Sequence, residues 1–372
     1  MPLASTAPWE TLVVCLLLLA APTVAVLHRP AWWLLAWMAA AIAASLFAAD
    51  GATAYALLSA GALLHALHAW PWSRTGAVGL GISAALTAAA AWTLHNDQPT
   101  AAFLLSVGAI AMRTGVLPLH AGVASLCDRA PVVHTQQMSS AIALVFVHLR
   151  FADHDPAIAS WAPWLVNGGA VACLMAALMT IVQRDLRGLY RGTTTMHGGM
   201  LLAALGAAAF GNFAAALLVA VTIGLALGGL GMMVTSLEER VGPVHYRGPG
   251  GRAGAFPVLA TCFVVFGGAG VGLPGTAGFV ADDLLLHTLW TQSPAATVAV
   301  IVASALLAVA TLIGYSHTFL GRTTPSRAPD LAIRERAVAV LLLSLLVLLG
   351  VAPELLLGPA DTFLSAALPT IR

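Results

Sequence analysis

The sequence predicts an all-α polytopic membrane protein: about twelve transmembrane helices in two inverted repeats, each with one Pro-broken helix. Three observations predict it. Sixty per cent of the 372 residues are apolar and 8% are charged, with a mean hydropathy of +0.91, a usage far outside that of soluble globular chains. Apolar runs recur along the chain near the roughly 20 residues that a helix needs to cross about 30 Å of hydrocarbon. Two of these runs are overlong, and each holds a proline beside small residues, where a helix loses a hydrogen bond and unwinds.

In chain order, passes are expected near 11–27, 31–48, 51–69, 76–94, 101–126, 131–151, 163–183, 193–210, 213–236, 255–290, 296–320 and 337–358. The first run follows Glu10 rather than a cation, so it reads as a retained helix and not a signal peptide. Arginine placement supports the count. Arg29, Arg74, Arg129, the trios Arg184, Arg187, Arg191 and Arg240, Arg247, Arg252, and the cluster Arg322, Arg327, Arg334, Arg336 all follow odd-numbered passes. The opposite loops carry Asp50, Asp97, Asn212 and Ser293, with Arg150 the exception. Because cytoplasmic loops collect basic residues, both termini are expected outside the cytoplasm. A bacterial-type inner membrane is the expected location.

An internal echo supports the duplication. Leu117-Pro118-Leu119-His120-Ala121-Gly122 and Leu273-Pro274-Gly275-Thr276-Ala277-Gly278 share an LPxxAG pattern, one in each interrupted pass. Passes five and ten have opposite orientation, as expected when a bundle is duplicated upside down and its broken helices carry the transport site. Residues 1–372 are read as one transmembrane domain, with repeats over about 31–151 and 163–320 and a C-terminal helix over 337–358.

Few residues in these passes can handle charge. Arg113 sits inside an apolar stretch before Pro118, where a guanidinium costs roughly 2.5–3.5 kcal/mol unless it faces the bundle interior or water; the alternative is a side chain that snorkels to the surface. Asp282 and Asp283 follow Pro274, and an adjacent pair points in different directions, so one can face a cavity. Helix capping is the competing role. Asp50 reads first as a solvated turn residue. Among the twelve histidines, His65, His134, His148, His197, His287 and His317 fall within or near apolar runs, and imidazole titrates near physiological pH. His317 is the strongest relay candidate of the second half.

Other classes are excluded by what the chain lacks. A net charge of +1 and the absence of polybasic runs give no reason to expect nucleic acid. No GxxxxGK[ST], GxGxxG after a strand or GxSxG occurs, so no cofactor and no catalytic chemistry in this chain alone are expected. The cysteines Cys15, Cys127, Cys173 and Cys262 show no CxxC spacing, and no HxxxH or HExxH occurs, so no metal site is expected. Gly228-Gly229-Leu230-Gly231 and Gly267-Gly268-Ala269-Gly270 fit close helix packing in lipid.

Three stretches carry a family likeness. Met112-Arg113-Thr114-Gly115-Val116-Leu117-Pro118-Leu119-His120 resembles the K-x-x-x-P-x-H broken helix of the antiporter-like membrane subunits of proton-pumping NADH–quinone oxidoreductase. Gln183 to Tyr190, followed by Thr193 to Gly206, is similar to that family's D-[IL]-K-R-x-x-A-Y-S-[ST] helix start. Gly272 to Phe279 followed by Asp282 resembles its G-L-P-G-T-x-x-F-x-x-E segment, most like subunit M. The same domain occurs in Mrp-type antiporters, membrane-bound hydrogenases and the membrane subunit of energy-coupled inorganic carbon transporters.

The resemblance implies a multisubunit complex with other membrane subunits and a peripheral cytoplasmic protein as partners, and a buried polar axis for protons. It places Arg113 on the family's first-half lysine and Asp282 on its second-half acid. The family's other acid would fall near Ser59 or Ala60 and its central lysine near Leu144. All 16 Lys+Arg positions are arginine. Arginine stays protonated, so Arg113 would act as a fixed charge where the family titrates a lysine. Two readings are therefore carried: a proton-conducting transport subunit, and a non-pumping scaffold that anchors a peripheral enzyme.

Overall fold

A computed structural model describes residues 48, 50–130, 140–151, 156–208, 213–322, 326 and 328–358. The first two passes, the start of the sixth and the candidate His134 lie outside the described residues. Within them, thirteen α-helices follow one another. The first half holds α1 (Gly51–Ala69), α2 (Arg74–His95), α3 (Pro99–Thr114), α4 (Ala121–Arg129) and α5 (Ser140–Phe151). The second half holds α6 (Ala162–Ile181), α7 (Leu186–Ala208), α8 (Phe213–Thr222), α9 (Gly228–Val241), α10 (Pro257–Ala269), α11 (Ala277–Gln292) and α12 (Pro294–Phe319). The last helix is α13 (Ile333–Val351).

Helix starts follow from local chemistry. The Asp50 carboxylate accepts from the Thr53 N–H at 2.7 Å and opens α1, Ser73 accepts from Gly76 N–H at 2.9 Å and opens α2, and Ser293 caps α12. Prolines occupy the first turn of α3, α6, α10 and α12, where a missing N–H leaves no intrahelical bond unmade.

Five described helices are long and apolar enough to span a membrane: α1, α2, α6, α12 and the continuous helix Phe213–Val241. The last differs from the rest. In its most apolar window 89% of residues are buried, against 39% for α2 and α12, so protein surrounds it while the others turn one side outward. Its two parts, α8 and α9, are joined by a π-helical turn over Ile223–Leu227. That turn is absent from the hydrophobic pattern, which reads as one uninterrupted pass.

The two overlong passes are both broken. α3 gives way to α4 across residues 115–120, and α10 to α11 across 270–276. They run in opposite directions. The end of α4 and the start of α10 lie at the same end of the bundle, the first through Asp128 paired with Arg191 and the second through Asp330 capping Val258 and Leu259.

Arginines gather at that end. Arg187 pairs with Glu238 at 2.6 Å and also reaches the Cys127 and Asp128 carbonyls, and Arg240 pairs with Glu335 at 2.5 Å. The 242–251 loop joins the same end through Leu186 N–H to Val244 O at 3.1 Å and Tyr246 N–H to Arg184 O at 2.9 Å. Asp50 and Arg150 sit at the opposite end, where Phe151 packs against Gly51. The alternation of charged loops in the sequence is thus realised as two differently charged ends.

Candidate functional site

The first break begins with a left-handed residue. Gly115 has φ +73°, a conformation that costs a residue with a Cβ about 1–2 kcal/mol. Its N–H and that of Val116 both turn back to the Ala111 carbonyl at 3.0 Å. Pro118 has no N–H to continue the helix, and it lies exposed in the break together with Leu119.

Arg113 lies one residue before the end of α3 and is 2% exposed. It is therefore a buried side chain and not a snorkelling one. Ser106, seven residues earlier on the same helix face, is also buried. Ser106 Oγ lies 2.7 Å from His148 Nδ1 on α5, whose ring packs against Phe103 at 4.9 Å between centroids. Leu144, where the family likeness puts a central lysine, is fully buried. His148 is one turn further along the same helix and is also buried.

The second break uses two left-handed glycines, Gly272 at φ +79° and Gly275 at +86°. Val271 and Leu273 N–H both bond the Gly268 carbonyl, and Thr276 Oγ1 donates to Leu273 O at 2.7 Å. Pro274 and Gly275 are exposed on the outer side of this break. Asp282 stands half-buried on α11, with Oδ2 only 2.7 Å from where a side chain on Gly272 would begin. Among the described residues it makes no hydrogen bond or ion pair. Asp283 and His287 point outward and are exposed.

One helix touches both breaks. On α7, a methyl on Gly198 would sit 2.7 Å from the Thr114 carbonyl oxygen of the first break. Its neighbour His197, 2% exposed, places Nε2 at 2.7 Å from the Gly270 carbonyl of the second break and Nδ1 at 2.9 Å from Thr193 O. A neutral imidazole has one N–H. This ring faces two carbonyl acceptors, so only its protonated form can donate to both. Leu227, the last residue of the π turn, packs beside Gly270, and a π turn at such a point is a frequent companion of functional sites.

Three other candidates stand apart from this junction. Asp50 caps α1 at the bundle end, where two hydrogen bonds from Thr53 hold its carboxyl below the usual range. His317 is exposed at the end of α12 and stacks on Tyr246 with centroids 5.6 Å apart. Burial, with a smaller push from Asp185, raises the Tyr246 phenol above its ordinary value. His65 is buried on α1.

Sequence reasoning passed over Ser106, the Thr193–Thr195 run and the π turn. The threonines were legible: three consecutive hydroxyls at residues 193–195 border an apolar run and all are buried on α7. Glu335, in the first turn of α13, accepts from Ser236, Arg240 and the Ala332 N–H. No group of three or more His, Cys, Asp or Glu that could hold a metal occurs among the described residues.

An all-helical bundle with two antiparallel broken helices joined by a polar helix defines a class of polytopic membrane subunits, and comparison with known proteins names it. The chain belongs to the family described as NADH:quinone oxidoreductase/Mrp antiporter, TM, whose model matches residues 9–308. NADH-quinone oxidoreductase subunit M of Escherichia coli (strain K12) is 26% identical over 271 residues, covering 70% of this chain and 53% of that one. The Rhodobacter capsulatus subunit M is 24% identical over 279 residues, covering 72% and 54%. The chain thus spans about half the length of these curated relatives.

Two solved structures share the fold. A chain of respiratory complex I from Thermus thermophilus with bound NADH superposes with TM-score 0.81 at 21% identity, covering 96% of this chain and 85% of that chain. A chain of the Mrp complex from Dietzia sp. DQ12-45-1b gives 0.79 at 17%, covering 97% and 83%.

Proposed function

We propose that this chain is an antiporter-like, proton-conducting subunit of subunit M type, working within a multisubunit ion-translocating complex in a bacterial-type inner membrane. Other membrane subunits and a peripheral cytoplasmic protein are its partners. The observation that carries the reading is the junction on α7, where His197 holds the carbonyl released by the second break and Gly198 closes on the carbonyl of the first.

In this reading His197 takes a proton between the Thr193 and Gly270 carbonyls and exchanges it through water with Asp282, which has no other described partner. His148 and Ser106 continue the track on the first-half side. Arg113 is a fixed positive charge that sets the field and limits where a second proton can rest. Pro118, Pro274 and Gly275 hold the two breaks open, and Asp283 and His317 serve the outer approaches. Asp50 contributes by closing α1. The two inverted repeats, about 31–151 and 163–320, would each supply one half of the path.

Proton uptake by membrane vesicles carrying the assembled complex tests the reading. Asp282→Asn is expected to abolish uptake with the complex intact; unchanged uptake rejects the proposal. The same domain serves in energy-coupled inorganic carbon transporters and Mrp-type antiporters, so replacing sodium or bicarbonate in the assay identifies the coupled species. A second reading is favoured by the fixed charge of Arg113 and by Leu144 in place of a lysine: a non-pumping scaffold that anchors a peripheral enzyme. Under it, Arg113→Gln leaves partner activity intact in an assembled complex.

A further inference from the structure

A cavity of about 240 Å³ lies between the first break, α6 and α7. Helix direction orders its walls. α6 reaches the arginine end at its C-terminus and α7 leaves that end at its N-terminus, so Gln183 and Arg191 form the outer rim. Met179 and Thr195 lie one turn deeper, and Leu117 and Ala176 form the inner end. The charged and amide groups thus stand nearest the bundle end, and the deeper wall is Leu117 and Ala176 together with the His120 ring of the first break.

Thr195 Oγ1 is buried and has no hydrogen-bond partner among the described residues. It lines the cavity, and a buried hydroxyl left without an acceptor costs about 1–3 kcal/mol. The cavity also borders an outward-facing apolar flank: Leu119, Met175, Leu178, Met179 and Val182 are all 43–68% exposed. At the rim, Arg191 bonds Asp128 and Gln183, and Arg129 and Arg184 stand exposed next to those two residues in the chain.

We propose that this cavity binds one phospholipid molecule. Its phosphate sits at the Arg191–Gln183 rim, an ester carbonyl accepts from Thr195 Oγ1, and the first methylenes of one acyl chain fill the space between Met179, Ala176 and Leu117. Basic pockets between membrane helices at the cytoplasmic side take phosphate headgroups in this way. A free anion fits less well. Inorganic phosphate leaves the Leu117–Ala176 part of the cavity uncovered. The bound chain would touch Leu117 of the first break and lie against α7, two residues from His197. Lipid composition would therefore tune the junction, a consequence that rests on the proton reading, whereas binding itself does not.

Native mass spectrometry of the full chain in mild detergent tests the binding. After delipidation, dioleoyl phosphatidylglycerol, dioleoyl phosphatidylcholine or inorganic phosphate is added back. One phospholipid is expected to be retained, and inorganic phosphate is not expected to displace it. Thr195→Val, which keeps shape and removes only the hydroxyl, is expected to lower occupancy about fivefold, the value of one neutral hydrogen bond. Ala124→Leu, which fills the cavity from α4, is expected to lower it further, with the helical circular dichroism unchanged. Equal lipid retention by both variants, displacement by phosphate alone, or a cavity occupied by water only would each overturn the proposal. Absence of proton uptake by the unsubstituted complex, with the lipid still retained, would count against the proton reading and leave the lipid site standing.

Discussion

The first break places a buried guanidinium just before a single left-handed glycine, and the carbonyl of Thr114 lies against the bare backbone of Gly198. The second places a carboxylate just after two left-handed glycines, and its freed carbonyl is taken by a histidine. It is also more heavily supported: Gly278 on α11 packs directly on the Ala269 carbonyl, and Gly350 of α13 packs on Gly275 and Thr276. A broken helix alone is therefore a backbone device that prolines and glycines supply. Beyond the backbone, the first break ends on His120, whose Nδ1 lies 3.2 Å from the Pro118 carbonyl, and the second is followed by the carboxylate of Asp282.

The sharpest way to break this comparison is to exchange charge. Asp282→Asn should reduce proton uptake to background while Asp282→Glu retains it, as measured by dye quenching in vesicles. Arg113→Gln should lower uptake about tenfold or more, equal to about 1.4 kcal/mol of barrier, and Arg113→Lys should retain it. Equal effects of Asp282→Asn and Arg113→Gln with no rescue by lysine would erase the distinction between the breaks.

Backbone substitutions sharpen it next. Gly278→Ala drives a methyl into the Ala269 carbonyl, which cannot rotate away, and should cost about 3 kcal/mol in a denaturation assay. Gly115→Ala meets the Val123 side chain and a left-handed φ, and should cost about 2 kcal/mol. A larger loss at Gly115 would show that the first break is the less tolerant one.

The arginine end offers a smaller contrast. Glu335 is only 7% exposed and holds Arg240, so Glu335→Ala should cost about 2–3 kcal/mol by stranding that cation. Asp128→Ala removes a pair that is 30% and 39% exposed and should cost less than about 1 kcal/mol.

Asp50→Ala removes the α1 cap and should cost about 1 kcal/mol. Because hydrogen bonds from Thr53 lower the folded-state value of this carboxyl below 3.8, its stabilisation is present above that pH and lost as pH falls through the folded value. Asp50→Asn should therefore keep the cap and remove that acid sensitivity in thermal unfolding.

Much of the fold was legible. Apolar run length marked α1, α2, α6 and α12, Pro118 and Pro274 marked the breaks, and the side of each arginine cluster followed from counting passes. The junction was not. His197 looked no different from four other histidines, because its distinction is the Gly270 carbonyl, 73 residues away in the chain. His317 stood out beside Tyr315 and Ser316, yet its partner is Tyr246, on a loop whose docking no local pattern encodes.

Composition and spacing alone determined that this chain is a membrane-spanning helical bundle with two interrupted passes of opposite direction. Those features depend on hydropathy and on missing backbone N–H groups, which are properties of single segments. Only the tertiary structure decided which ionisable groups meet: His197 at the second break, His148 on Ser106, Arg113 buried, and Asp50 and His317 at the ends. Burial and hydrogen-bond partnership are set by the packing of distant helices, and no window of sequence contains them.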